Sequence, residues 1–203
     1  MKPRLLKRTI LWLGLATVVA AAGSGLAFTV NLVGLNLLRW PAGQSQISLA
    51  ANLPYQDWLS GARQAAGLWA KAGPAAAKWK IEPTRQQLPL AQDGRCTLAL
   101  AELDPFRLSR TQVWYRPSSG RIIEVDIRLS SRLAWQVDRQ DSAKRPDLVS
   151  IMVQELGFGL GLGWGDEGGL AGSWQPGRLG RTIGPQEVKG LNYLYPPSPG
   201  LGD

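Results

Sequence analysis

The sequence predicts an α+β domain in which helices flank the ends of a mixed β-sheet, and three observations support this class. Strand-like alternation is strictest over 121–129, where Ile123, Val125, Ile127 and Leu129 share one face. Apolar residues recur at helical spacing over 55–72, before this strand, and again from residue 148, after it. With 203 residues, the chain has enough length to bury one core of medium size.

Each element is placed by its own pattern and by the residues that end it. The predicted strands are 46–51, 79–83, 97–101, 111–115 and 121–129, and the last two form a half-buried hairpin. A helix begins after Asp147, a residue type that caps helix N-termini, and ends at the glycines of 161–163. A last short helix covers 184–195.

The amino-terminal segment has the pattern of an export signal. Residues 1–8 are basic, residues 10–28 are apolar, and small residues stand at Gly25 and Ala27, where a signal peptidase reads the chain. This predicts a signal peptide over 1–27 followed by a single domain over 28–203. The apolar stretch also approaches the roughly 20 residues that span a bilayer, so an uncleaved anchor is the alternative. Either outcome places the domain outside the cytoplasm, secreted or anchored by residues 10–28.

The composition excludes several classes of function. The net charge is +8, but it is concentrated at the basic amino terminus. The rest of the chain contains 19 basic and 15 acidic residues, a mild excess. No Lys/Arg run interleaves with aromatic residues, so we expect no nucleic-acid partner. The chain contains no histidine, which excludes a Ser-His-Asp triad and every imidazole metal site. Cys96 is the single cysteine. It is a small buried residue, a free reactive thiol, or one half of a disulfide to another chain.

One short motif points to a family. Residues 154–164 read Q-E-L-G-F-G-L-G-L-G-W and follow the spacing of the metzincin signature H-E-x-x-H-x-x-G-x-x-H. In this alignment Glu155 takes the place of the catalytic glutamate and Gly161 the place of the glycine at which the chain turns. Gln154, Phe158 and Trp164 take the places of the three zinc-binding histidines.

The flanking segments carry the same resemblance. Together they make the chain similar to the matrixins, the matrix metalloproteinases and their bacterial relatives, over about 39–196. The segments that resemble this family are 39–41, 114–117, 120–122, Asp126, Trp135, 147–152 and 181–196.

The resemblance implies a fold and a site. The expected fold is a twisted, mostly parallel five-stranded sheet with an active-site helix and a carboxy-terminal helix. Members of the family are zinc-dependent endopeptidases with a shallow substrate cleft beside the edge strand. In this chain, Trp114 and Tyr115 would supply contact area there. Glu155 would be the general base of that chemistry.

The differences from the family pattern lie at the positions that bind and support the catalytic zinc. An amide is a poor zinc ligand, and phenyl and indole rings offer none, so we expect no bound metal at Gln154, Phe158 and Trp164. Zinc lowers the pKa of its bound water to about 7, and Glu155 cannot perform the family reaction without it. The family's methionine turn would lie near 169–172, which contains no methionine. Phe158 and Trp164 would instead fill the former metal position by packing.

Other chemistries remain as alternatives. Gln154 and Glu155 could form a glutamine–glutamate pair, but helix neighbours point about 100° apart and do not converge on one atom. Asp166 and Glu167 could join Glu155 around structural calcium, or they could form a solvated acidic loop. The same two interpretations apply to Asp138 and Asp141.

The sequence therefore predicts a degenerate matrixin-like domain without catalysis. Such a domain would bind an extended peptide or protein by strand addition, or serve a structural role. The first alternative is an active zinc endopeptidase of the matrixin type with non-histidine ligands. The second is a membrane-tethered structural protein, which requires that the amino-terminal segment stays attached.

Overall fold

The fold is α+β, with eight strands and three helices in the described part of the chain. A computed structural model describes residues 16–20, 28–42, 44, 46–72, 78–138, 144–163 and 179–196. The strands are β1 Ala16–Ala20, β2 Phe28–Val33, β3 Asn36–Leu37, β4 Gln46–Asn52, β5 Lys78–Pro83, β6 Cys96–Ala101, β7 Ser109–Arg116 and β8 Arg121–Ser130. The helices are α1 Gln56–Ala72, α2 Leu148–Gly159 and α3 Pro185–Leu194.

The larger sheet has five strands in the order β5-β4-β6-β8-β7. The pairs β4–β5, β4–β6 and β6–β8 are parallel, and β7 pairs with β8 in the antiparallel direction. The predicted α+β class and the mostly parallel five-stranded sheet are confirmed. The five predicted strands and three helices lie where the patterns placed them, with ends shifted by one or two residues.

The core lies between one face of this sheet and the helices. Helix α1 buries a stripe of apolar residues that includes Trp58, Ala62 and Trp69. The indole of Trp69 donates a hydrogen bond to the carbonyl of Val153 on α2, 2.8 Å away, so the two helices are joined by a polar contact as well as by packing. Helix α2 is buried along its whole length, as a helix at the centre of a domain must be.

The alternation of β8 differs from the sequence prediction at one point. A β-bulge between Trp114 and Tyr115 leaves Ile123 without a paired residue and sets Tyr115 opposite Ile122. As a result Ile122, at 1% exposure, joins Val125 in the core. The prediction that Ile123 lies on the core face with Val125 is wrong, because strict period-two alternation cannot foresee an inserted residue.

The hairpin is also more deeply buried than its pattern predicts. Glu124, Asp126 and Arg128 alternate with the core residues and are only 1%, 0% and 3% exposed. Their face of the sheet is covered by the segment between β5 and β6, whose backbone at Leu88 and Pro89 accepts hydrogen bonds from Arg128. Alternation identifies two faces of a strand, but it does not show what covers the second face.

The amino-terminal strands were not predicted. β1, β2 and β3 form a separate antiparallel sheet, and β2 contacts α3. Residues 1–15 and 21–27 of the expected signal or anchor lie outside the described residues. Within the described ranges, no helix combines the length and the apolar character that a membrane span requires.

The turn after α2 requires glycine. Gly161 has φ of +93°, and a Cβ atom there would stand 1.9 Å from the carbonyl oxygen of Leu38. The predicted end of the helix at this glycine is confirmed: Leu160 caps α2, and the chain reverses at the next residue. Close approach of the segment before β4 makes the position intolerant of any side chain.

We expect Gly161→Ala to destabilise the fold by about 2 kcal/mol or more, because it combines an unfavourable φ with a clash against backbone. The matched control is Gly67→Ala, where a Cβ would meet nothing within 4 Å in helix α1. That control should stabilise the protein by about 0.5–1 kcal/mol. Urea denaturation of both variants measures the difference, and equal effects would contradict the assignment.

Candidate functional site

The helix that carries the motif is fixed at its start by a buried ion pair. Asp147, at 0% exposure, accepts a hydrogen bond from the backbone N–H of Ser150 at 2.9 Å, which confirms the predicted N-cap. The guanidinium of Arg181 binds both oxygens of the same carboxylate, with Nε 2.9 Å from Oδ2. Arg181 also donates to the carbonyl of Val137. The segment that leads into α3 is thereby attached to the first turn of α2.

Side-chain hydrogen bonds from other segments hold the C-terminal end of α2. The indole of Trp40 donates to the carbonyl of Gly159 at 2.8 Å, and the hydroxyl of Tyr195 donates to the carbonyl of Leu160 at 2.7 Å. Asn31 of β2 donates its side-chain amide to the carbonyl of Leu162 at 2.9 Å. These donors satisfy carbonyls that a helix end leaves without partners. The orientation of the motif residues thus depends on distant segments, since Trp40 and Asn31 lie 119 and 131 positions from their acceptors.

Glu155 points at the edge strand β7. Its carboxylate accepts hydrogen bonds from the hydroxyl of Ser109, 2.6 Å from Oε1, and from the hydroxyl of Thr111 at Oε2. Ser109 and Thr111 are two positions apart on β7, so their side chains lie on the same face of the strand. Glu155 is 5% exposed, and both of its oxygens are engaged by the strand. No sequence pattern indicates these two partners.

Burial raises the pKa of Glu155 above its ordinary value. The hydrogen bonds from Ser109 and Thr111 and the charge of Arg107 act in the opposite direction but do not cancel that effect. This arrangement stabilises the contact between α2 and β7.

The other motif positions do not supply a zinc site. Gln154 and Phe158 are 7% and 8% exposed and lie on α2 as the motif predicts, while Trp164 lies outside the described residues. An amide oxygen, a phenyl ring and an engaged carboxyl do not make the nitrogen- and sulfur-rich donor set that zinc prefers. The residues present at 154, 155 and 158 therefore do not fit the metal of the matrixins.

Of the residues considered as alternative calcium ligands, only Glu155 and Asp138 lie within the described residues. In those ranges, no group of three or more His, Cys, Asp or Glu residues stands close enough to hold a metal ion. Asp138 is exposed, and Asp141, Asp166 and Glu167 lie outside the described residues.

The two aromatic residues expected in a cleft lie on opposite faces of the sheet. Trp114 pairs with Glu124, and its indole donates to Asp126 at 3.2 Å on the face away from α2. Tyr115 pairs with Ile122 and packs against the core on the face of the helices. Neighbouring strand residues alternate between faces, so the pair cannot form one contact surface.

A second buried polar cluster, which the sequence analysis did not identify, lies on the far face of the sheet. The hydroxyl of Thr97 donates to Asp126 and accepts from Arg128 at 2.9 Å, so it connects the two charged groups. Burial raises the pKa of Asp126 and lowers that of Arg128. The alternation of charged with apolar residues on β8 was the available signal, but it is equally typical of a solvated strand face.

Glu124 and Cys96 extend this cluster. The carboxylate of Glu124 accepts from the backbone N–H groups of Asp93 and Gly94, at 3.2 and 2.6 Å, and so holds the end of the covering loop. Cys96 is half-buried, and its sulfur accepts from the N–H of Val125 at 3.4 Å. Burial raises the pKa of the Cys96 thiol to about 11, which disfavours the nucleophilic thiolate. These contacts favour a packing role for Cys96 over a reactive one.

Comparison with known proteins adds no assignment. A scan against models of protein families finds no match, and the curated proteins contain no significant relative of this sequence.

The raised pKa of Glu155 predicts a specific pH dependence. The folded state binds this proton more tightly than the unfolded chain, whose carboxyl has an ordinary pKa of 4.5. The stability that Glu155 contributes is therefore full below about pH 4.5 and is lost as the pH rises through the folded-state value.

We expect the unfolding free energy of Glu155→Gln, relative to the unsubstituted protein, to rise with pH across this window. The slope should be at most about 1.4 kcal/mol per pH unit, since one proton is involved. Glu124 and Asp126 are present in both proteins, so their contributions cancel in the difference. Urea denaturation at a series of pH values provides the measurement, and a difference that does not vary with pH would contradict the proposal.

Proposed function

We propose that this chain is a degenerate matrixin-like metalloendopeptidase domain that no longer catalyses hydrolysis and acts as an exported binding or structural domain. The mostly parallel five-stranded sheet, with a buried helix against its antiparallel edge strand, supports this proposal. So does the chain reversal at Gly161, the position that aligns with the glycine of the family signature.

The state of Glu155 is the observation that carries the proposal. A general base must reach a water molecule or a substrate proton with a free oxygen. Both oxygens of Glu155 accept hydrogen bonds from hydroxyls of β7, and the side chain is only 5% exposed, so the carboxyl is engaged in the contact between helix and strand. The carboxyl of the family motif is thus reused to attach α2 to the edge strand.

The edge strand supports a binding role. β7 is eight residues long, and among the described strands it pairs only with β8, so no described strand pairs with its other edge. Its residues are half-buried from Ser109 to Tyr115. A long edge strand is a template for an added strand, and extended peptides bind other domains in this way. We propose an extended segment of a peptide or protein as the partner of β7.

Zinc content and activity together test the loss of catalysis. The purified protein should contain far less than one zinc per chain by elemental analysis after dialysis, and it should not cleave unfolded casein above background. Glu155→Gln should leave both results unchanged. About one zinc per chain, with casein cleavage that Glu155→Gln abolishes, would establish the alternative of an active endopeptidase with non-histidine ligands.

Amide hydrogen exchange tests the binding role. Peptides selected on the protein from a random ten-residue library should slow exchange along residues 109–116, because strand addition protects the outward-facing amides of β7. Residues 78–83 of the opposite edge strand β5 are the internal control. Failure to select any peptide, or protection confined to β5 or the helices, would contradict the assignment.

A further inference from the structure

Three arginines stand side by side at one corner of the larger sheet. Arg116 of β7 pairs with Arg121 of β8, and Arg121 forms a parallel bridge with Arg39 on its other side. Directly paired residues project from the same face, with Cβ atoms about 4.5–5.5 Å apart. All three residues are exposed. The sheet therefore presents three positive charges in a row across adjacent chain segments.

The β-bulge creates this row. Without the extra residue at Ile123, Arg121 would lie on the same face as Val125, which is the core face. The bulge exchanges the faces, sends Ile122 into the core and sets Arg121 opposite Arg116 on the outer face. Bulges commonly re-aim a side chain at a functional position.

No acid from the adjoining segments balances these charges. Residues 28–42 and 105–123 contain five arginines and neither Asp nor Glu. Arg39 donates to the carbonyl of Leu194 at 3.2 Å, the end of helix α3. Within the described residues, the side chains of Arg116 and Arg121 take part in no ion pair and no side-chain hydrogen bond.

Like charges placed directly opposite each other in a sheet are destabilising, so this arrangement has a cost in the free protein. Guanidinium groups bind phosphate oxygens in a bidentate, charge-assisted manner. We propose that Arg116 and Arg121, flanked by Arg39, form a binding site for a phosphate group, carried by an anionic lipid headgroup or free in solution. A bound phosphate would neutralise the facing charges and reverse their cost.

The neighbouring turn favours the lipid headgroup as the source. The side chain of Asn36 donates to the carbonyl of Ser118 at 3.4 Å, which places the β2–β3 turn against the β7–β8 turn. Leu35 of that turn is 99% exposed. An exposed apolar side chain beside clustered arginines is the combination that proteins use to bind anionic membrane surfaces.

The test compares the full chain with Arg116→Gln/Arg121→Gln and with Arg63→Gln/Arg85→Gln, an exposed pair that removes the same net charge. One arm measures Tm in inorganic phosphate and in chloride at matched ionic strength. The other measures binding to phosphatidylglycerol vesicles against phosphatidylcholine vesicles. The basic amino-terminal segment is the same in all three proteins, so attachment through it cancels when the proteins are compared.

The unsubstituted protein and the Arg63/Arg85 control should gain Tm in phosphate and prefer phosphatidylglycerol. The Arg116/Arg121 variant should melt higher in chloride, lose the phosphate response and bind phosphatidylglycerol about 10- to 30-fold more weakly. A response in the phosphate arm alone assigns free phosphate, and a response in the vesicle arm alone assigns the headgroup. The proposal is overturned if the Arg116/Arg121 variant keeps both responses, or if the control loses them equally.

Discussion

The buried pair between Asp147 and Arg181 fixes the start of the central helix, and much of the structure depends on it. A carboxylate at 0% exposure requires a compensating charge, and the bidentate guanidinium supplies it. The same carboxylate caps the helix through the N–H of Ser150. Because Arg181 also binds Val137, one ion pair joins the loop before α2, the helix itself and the segment that leads to α3. Loss of either partner would leave an uncompensated buried charge.

With its start fixed there and its end held by Trp40 and Tyr195, helix α2 has a defined rotation about its axis. That rotation directs Glu155 at Ser109 and Thr111 of the edge strand. The helix is buried on all sides, so a polar side chain on it must find a partner inside the protein. The carboxyl of Glu155 is thus part of the packing of helix against sheet.

Buried ionisable side chains have different kinds of partner on the two faces of the sheet. On the helix face, Glu155 is paired with neutral hydroxyls, and burial favours its protonated form. On the opposite face, Asp126 and Arg128 are connected through Thr97, and the guanidinium also binds the carbonyls of the covering loop. Both networks involve β7 or β8. The antiparallel hairpin therefore takes part in both of these networks.

The order and type of the main elements could be predicted from the sequence, because hydrophobic periodicity and capping residues act locally. Asp147 as a helix cap and Gly161 as the end of that helix are examples. The absence of histidine is also decided by sequence alone and restricts the chemistry at Gln154, Glu155 and Phe158. Partners of buried groups were decided only by tertiary structure. Ser109 lies 46 positions from Glu155, and no local pattern reports such a contact. The bulge at Ile123 likewise depends on the pairing of two strands, and it determines which isoleucine enters the core and which face carries Arg121.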